Sequence, residues 1–250
     1  MKKVIKYISF IMIFSLMLLL CSCTNGGITR TSGLFTYKIN LDTREIMIMG
    51  LSKKGQQEET IVIPSILNGK RVMSIGCRYD MGAEYAEFES EKLKTIYFPS
   101  GFSRVMTDGS FYEKMPNVEK VFWGDIIYNG RLCYSSKTSL TYISQKNFYT
   151  DSHFKIAGND LSHFRLSNVV YYINDGTENT YFVDYVSGAV VNVEPPTPYR
   201  EGYKFKGWYK EVECINKWDF EKDEVPQIEY NSEGKEIFKE IKIYAGWELE

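Results

Sequence analysis

The sequence predicts a mainly β fold with some α+β character, arranged as two β-rich modules behind an export signal. Three observations carry this. Aromatic residues make up 15% of the 250 residues, with 19 Tyr and 15 Phe, and Tyr, Phe, Val and Ile favour strands. A short apolar-x-apolar-Pro element recurs in the first half, as Ile61-Val62-Ile63-Pro64 and Ile96-Tyr97-Phe98-Pro99. Helical periodicity is scarce, whereas short apolar or alternating runs bounded by turn residues read as strands.

The first element is the signal. Lys2, Lys3 and Lys6 precede an apolar run from Tyr7 to Leu20, and the small residue Ser22 stands before Cys23. This reads as a secretory segment, and the run is shorter than the ~20 residues of a spanning helix. No other apolar run reaches membrane-spanning length. The sequence Leu20-Cys21-Ser22-Cys23 resembles the bacterial lipobox, in which the last cysteine becomes the lipidated first residue. The resemblance implies cleavage after residue 22 and acyl chains, palmitate among them, on Cys23. It also implies a place on the outer face of a bacterial membrane, in the envelope or at the cell surface. Cys21 fits worse, because Leu20 would then stand where a small residue is wanted. The competing readings are an ordinary cleaved signal and an uncleaved N-terminal anchor. Durable attachment takes two lipid signals, and the implied modification supplies at least two chains.

Loss of residues 1–22 leaves 228 residues, enough for one large or two modest domains. Lys and Arg number 30 against 32 Asp and Glu, a net charge of −2. The signal holds three of the lysines and no acid, so the cleaved chain stands at −5. A nucleic-acid partner would want a clustered basic face, and none is expected. After Cys21 and Cys23, three cysteines remain: Cys77, Cys133 and Cys214. An odd, widely spaced set fits neither a disulfide framework nor a zinc pattern. Three buried, inert thiols are expected, with one bridge and a leftover as the alternative.

Residues 23–33 include the Gly-rich stretch Thr24 to Gly33 and read as a flexible tether. Tyr37-Lys38-Ile39-Asn40 and Glu45-Ile46-Met47-Ile48-Met49 then predict two strands around a turn at residues 41–44. A weak repeat follows, at Ile61, Ile96 and Val121, with a degenerate fourth copy placed at Ile143. The intervals are 35, 25 and 22 residues, in the range of stacked repeats. An apolar residue precedes the last three copies by three positions, as Leu93, Val118 and Leu140. Val72-Met73-Ser74-Ile75 and Phe102-Ser103-Arg104-Val105 share a second apolar-x-x-apolar motif.

The stretch Ile61-Val62-Ile63-Pro64-Ser65-Ile66-Leu67-Asn68-Gly69-Lys70-Arg71-Val72-Met73-Ser74-Ile75-Gly76 resembles the BspA-type leucine-rich repeat. The resemblance implies a short β-rich leucine-rich-repeat solenoid of three or four turns over residues 34–155. Arg78 to Glu91 lengthens its first interval. Residues 156–167, within the aperiodic stretch His153 to Ser167, read as a connector or terminal cap.

Residues 168–250 carry strands at Val169–Ile173 and Tyr181–Val186, an alternation at Tyr203-Lys204-Phe205-Lys206 that puts aromatics inside and lysines outside, and a last strand in Ile241 to Trp247. Turns fall at Asn174-Asp175-Gly176 and Gly188, and Pro195-Pro196-Thr197-Pro198 is a stiff extended piece. The order Gly202-Tyr203-x-Phe205-x-Gly207-Trp208-Tyr209, Trp218-Asp219-Phe220, Ile243-Tyr244-Ala245-x-Trp247 is similar to the internalin B-repeat, also called the Listeria–Bacteroides repeat. That resemblance implies a small ubiquitin-like β-grasp domain of exported surface proteins. Gln227 to Lys239 is longer than the repeat requires.

Little chemistry stands out. His153 and His163 lie ten residues apart, not at the spacing of helical zinc ligands, and neither joins Cys133 in a recognisable dyad. No nucleophile elbow, phosphate loop or dinucleotide fingerprint occurs. Glu58-Glu59 and Asp223-Glu224 read as solvated loops, and Asp175, Asp184 and Asp219 lack a calcium-loop pattern. Trp208, Trp218 and Trp247 read as core, although a sugar-stacking platform is the alternative. The chain is therefore expected to be no enzyme, with no metal, cofactor or catalytic residue, and with Cys23 as its lipid-attachment site. The expected function is adhesion or protein/glycan binding at the cell surface. The alternative is a structural envelope component or spacer without a dedicated ligand. Expected partners are the membrane, through lipid, and a host or cell-wall protein or glycan. Aromatics outside the repeat pattern, Tyr79 to Phe88 and Tyr128 to Tyr149, are the stretches to inspect: exposure there favours binding and burial favours packing.

Overall fold

The computed structural model describes residues 27–79, 82–105, 113–125, 139–150 and 161–250. Cys23, Cys133, His153 and residues 126–138 lie outside them. The described chain is mainly β.

Strands β1 (Arg30–Ser32), β2 (Phe35–Ile39) and β3 (Ile46–Leu51) form an antiparallel meander. Asn40 shapes the β2–β3 turn, its side-chain oxygen accepting from the N–H groups of Asp42 and Thr43. The chain then crosses to β4 (Thr60–Val62) and returns through β5 (Ile66–Leu67) to β6 (Lys70–Ile75). The β5–β6 hairpin turns on Asn68-Gly69, both at positive φ (52° and 70°), as a primed two-residue turn requires. A small hairpin, β7 (Cys77–Tyr79) and β8 (Gly82–Glu84), fills the lengthened first interval. Strands β9 (Thr95–Phe98), β10 (Arg104–Val105), β11 (Lys120–Trp123) and β12 (Leu140–Ile143) follow. A short helix, Gln145–Thr150, and a 3-10 turn, Leu161–His163, lead to β13 (Phe164–Leu166).

From β3 to β11 the chain thus alternates between two sheets, and β12 and β13 extend the second of them. One continues the meander with β6 and β10 in parallel, in the order β1-β2-β3-β6-β10. The other is wholly parallel, in the order β13-β12-β11-β9-β4. Their facing sides enclose one apolar core. Ile46, Ile48, Val72, Ile75 and Val105 meet Ile61, Ile96, Phe98, Val121, Trp123 and Phe164 there. Phe98 and Trp123 stack within it at 4.0 Å.

The structure corrects one expectation. The fourth copy is in register two residues before Ile143: Thr141 pairs with Val121, and Tyr142 with Phe122. Thr141 is fully buried although polar, which hides the copy from an apolar pattern. Leu140 accordingly packs on the far side of the sheet, not beside Leu93 and Val118. The stretch read as connector or cap contributes β13, the edge strand of the parallel sheet.

The C-terminal module comprises β14 (Val169–Tyr172), β15 (Thr180–Asp184), β16 (Tyr203–Tyr209), β17 (Glu229–Tyr230), β18 (Glu236–Ile237) and β19 (Ile241–Leu249). Its sheet runs β15-β14-β19-β16, with β14 and β19 parallel. Both faces of β14 and β15 are buried, and a continuous Val-Val-Tyr-Tyr run suits such a position. The long segment Gln227 to Lys239 holds the β17–β18 hairpin, which an ion pair of 2.6 Å between Lys239 and Glu229 spans.

Candidate functional site

Every second residue of the parallel sheet points away from its core. Val62, Tyr97, Phe122, Tyr142 and Arg165 share one row of this outer face. Thr60, Thr95, Lys120 and Leu140 form the row two residues earlier. Neighbouring strands lie ~4.8 Å apart, close to the separation at which flat rings stack. The ring centroids of Tyr97 and Phe122 are 4.4 Å apart, and those of Phe122 and Tyr142 are 4.6 Å apart. The C-terminal module closes this column at both ends. Phe182 stacks on Tyr97 at 5.2 Å, and Tyr185 tilts against Tyr142 at 5.4 Å. Strand β15 lies across β9, β11 and β12 to bring both rings there. Each such pair contributes about 0.5–1.5 kcal/mol beyond its area burial.

A polar seam fixes the docking. The Ser100 N–H donates to the Tyr181 carbonyl at 2.7 Å, and the Tyr181 hydroxyl lies 2.7 Å from Ser65 Oγ. Thr180 Oγ1 and Asn147 Nδ2 both donate to the Gly124 carbonyl. The Tyr97 hydroxyl donates to Asp184 at 3.1 Å. Asp184 is fully buried and also accepts from the N–H of Tyr185 and from both the N–H and Nδ2 of Asn192, each at 2.8 Å.

Burial holds the Asp184 carboxyl above the usual carboxylate range, with the four donors pulling the other way. A carboxyl raised in the folded state favours folding while protonated. Its contribution is full below the unfolded value, about 3.9, and is lost as pH rises through the folded one. Urea midpoints from pH 3.5 to 6.5 should therefore fall with rising pH more steeply in the wild type than in Asp184→Asn. A wild-type slope equal to or shallower than the variant's would contradict this assignment.

Beside the ring column lies a cleft of about 340 Å³ between the modules. Thr60, Thr95 and Lys120 line it from the sheet, and Tyr185, Asn192 and Val193 line it from the C-terminal module. The edges of the column form its floor. The Tyr185 hydroxyl donates to Glu236 of the β17–β18 hairpin at 3.0 Å, so the long loop braces one wall.

The residues singled out in the sequence fall elsewhere. Trp208 is buried among Tyr171, Tyr181 and Phe205, while Trp218 and Trp247 pack partly buried on the same cluster. They line neither this cleft nor a common open surface. Asp175 caps its own turn through Thr177, and Asp219 pairs with Lys222 at 2.9 Å. Among the described residues no three His, Cys, Asp or Glu side chains converge as metal ligands would. His163 is half-buried, in the 3-10 turn. Cys214 is a half-buried free thiol that burial pushes up in pKa, 3.4 Å from Asn174 Nδ2. In the inspected stretches Ala86, Phe88 and Tyr142 are buried, whereas Tyr85 and Tyr149 are exposed.

Sequence reasoning missed Tyr97, Phe122, Asp184 and Lys120 as a group. A signal existed in the three aromatics at matching outward positions of successive copies. Residues 168–245, which supply the clamp and one wall of the cleft, match the family model of the Listeria-Bacteroides repeat domain.

Proposed function

We propose that this chain is an exported lipoprotein, anchored through Cys23, whose two modules act as one non-catalytic recognition body at the bacterial cell surface. In this reading the first module is a BspA-type leucine-rich-repeat solenoid and the second a ubiquitin-like β-grasp. The alternation of the chain between two sheets from β3 to β11 supports the first. The order β15-β14-β19-β16, with its central strands parallel, supports the second. The repeat match in residues 168–245 fits a surface-associated module.

The ring column carries the conclusion. An open solenoid face is a broad recognition surface. Here that face is spent on holding the second module, so recognition falls to the cleft and the rims of the fused body. The burial of Phe88 and Tyr142 favours the second reading, a structural envelope component.

The full-length protein in detergent, tested against extracellular-matrix proteins, host-surface fractions and cell-wall glycans at two salt concentrations, separates the two. Saturable binding is expected. No binding from a sample with an intact cooperative unfolding transition would overturn the recognition reading and leave the structural one. Deletion of residues 34–155 is a poor map of the site, because it removes the seat of the C-terminal module.

A further inference from the structure

The geometry points to a carboxylate-bearing sugar, a hexuronate, as the occupant of the inter-module cleft; this rests on the recognition reading above. The floor sets the first condition. Tyr97 and Phe122 have both ring faces covered by neighbouring rings, so neither is free to stack on a ligand. What the column offers is ring edges, the positive part of the aromatic quadrupole. Edges of that sign favour oxygen-rich or anionic groups.

The wall sets the second condition. Lys120 is exposed and, among the described residues, makes no ion pair, so its ammonium stands free on the wall of the cleft. Thr95 and Thr60 share its row, one and two strands away respectively, and their hydroxyls have no side-chain hydrogen bond among the described residues. Arg165, paired in register with Tyr142, adds a second cation to the same outer face. The two carboxylates beside the rings are engaged: Asp184 by four donors and Glu236 by the Tyr185 hydroxyl. One ammonium beside a row of hydroxyls matches a carboxylate on a polyhydroxylated ring. The volume, about 340 Å³, is at the small end of ligand pockets and suits a one- or two-sugar unit.

Ligand-observed NMR on the full-length protein in detergent, with glucuronate, glucose and acetate as probes, tests this. Glucuronate should bind at least tenfold more tightly than glucose, and acetate should not bind measurably. Lys120→Met should remove the preference for glucuronate over glucose, and Lys120→Arg should keep it. Lys94→Met, which breaks an exposed pair with Glu59, should change nothing. Equal affinity for glucuronate and glucose, an unaffected Lys120→Met variant, or no binding of either sugar would overturn the proposal. Binding on the wider panel that survives Lys120→Met would overturn it while leaving the recognition reading intact. A hyaluronan disaccharide and digalacturonate, as further probes, distinguish an animal-matrix source of the uronate from a plant one.

Discussion

Replacing Gly124 by alanine should lower stability by about 3 kcal/mol, at the upper end of what overpacking costs, and should loosen the C-terminal module first. A Cβ at this position would lie 1.9 Å from the Tyr181 carbonyl oxygen, 2.5 Å from its carbon and 2.8 Å from the Ser100 nitrogen. All three are backbone atoms, and the Ser100 N–H is bonded to that same carbonyl. The Gly124 N–H donates to Phe98 at 2.8 Å, and its carbonyl accepts from Thr180 and Asn147. Relief therefore requires β15 to lift off the sheet. Urea unfolding followed by tryptophan fluorescence, with limited proteolysis of residues 187–202, reads both effects. A midpoint unchanged from wild type would mean that β15 is not seated here.

Phe122→Ala should cost about 3–5 kcal/mol, the range for truncating a buried phenylalanine. Phe122 is only 3% exposed and stands at the centre of the column, stacked on both Tyr97 and Tyr142. Its removal withdraws ring contacts from both sides at once and leaves a void between the modules. The expected signature is qualitative as well as large. The wild type should unfold in one transition, and the variant in two, because the face that couples the modules is interrupted. Phe122→Leu, which fills most of the space, should retain a single transition. A loss below 1 kcal/mol, or two transitions already in the wild type, would show that the column does not join the modules.

Most strands were legible because the forces that place them are local. The alternation around Ile39 and Ile46 and the apolar-x-apolar runs at Ile61, Ile96 and Val121 each identify themselves. The β17–β18 hairpin was legible only as extra length between Gln227 and Lys239. Register at β12 was not legible, since a buried threonine stands where the other copies carry Ile or Val. The docking of the modules was hidden for a different reason. Alternation separates inward from outward residues but does not say what lies beyond the outward ones. Two traces were present in the sequence. Tyr97, Phe122 and Tyr142 occupy positions that solvent would fill with polar residues. Gly124 stands where earlier copies carry Pro64 and Pro99, a change that admits another backbone. Lys120 and Asp184 gave no such trace, because each gains its meaning only from a neighbour far along the chain.

The partners that close the ring column are remote from it in sequence. Ser65 waits 116 residues for Tyr181, and Tyr97 waits 87 for Asp184. A nascent chain made from its N-terminus can complete the two-sheet core early, since that core needs nothing beyond β13. Until β15 arrives, a flat aromatic strip stands open to water, and such strips are where incomplete chains associate. The late contacts also raise contact order, which slows the final step. Folding should thus pass through a half-built species with a sticky face. The hazard period ends when Phe182 and Tyr185 reach the sheet, so chains cut short before residue 180 should aggregate rather than persist as stable monomers.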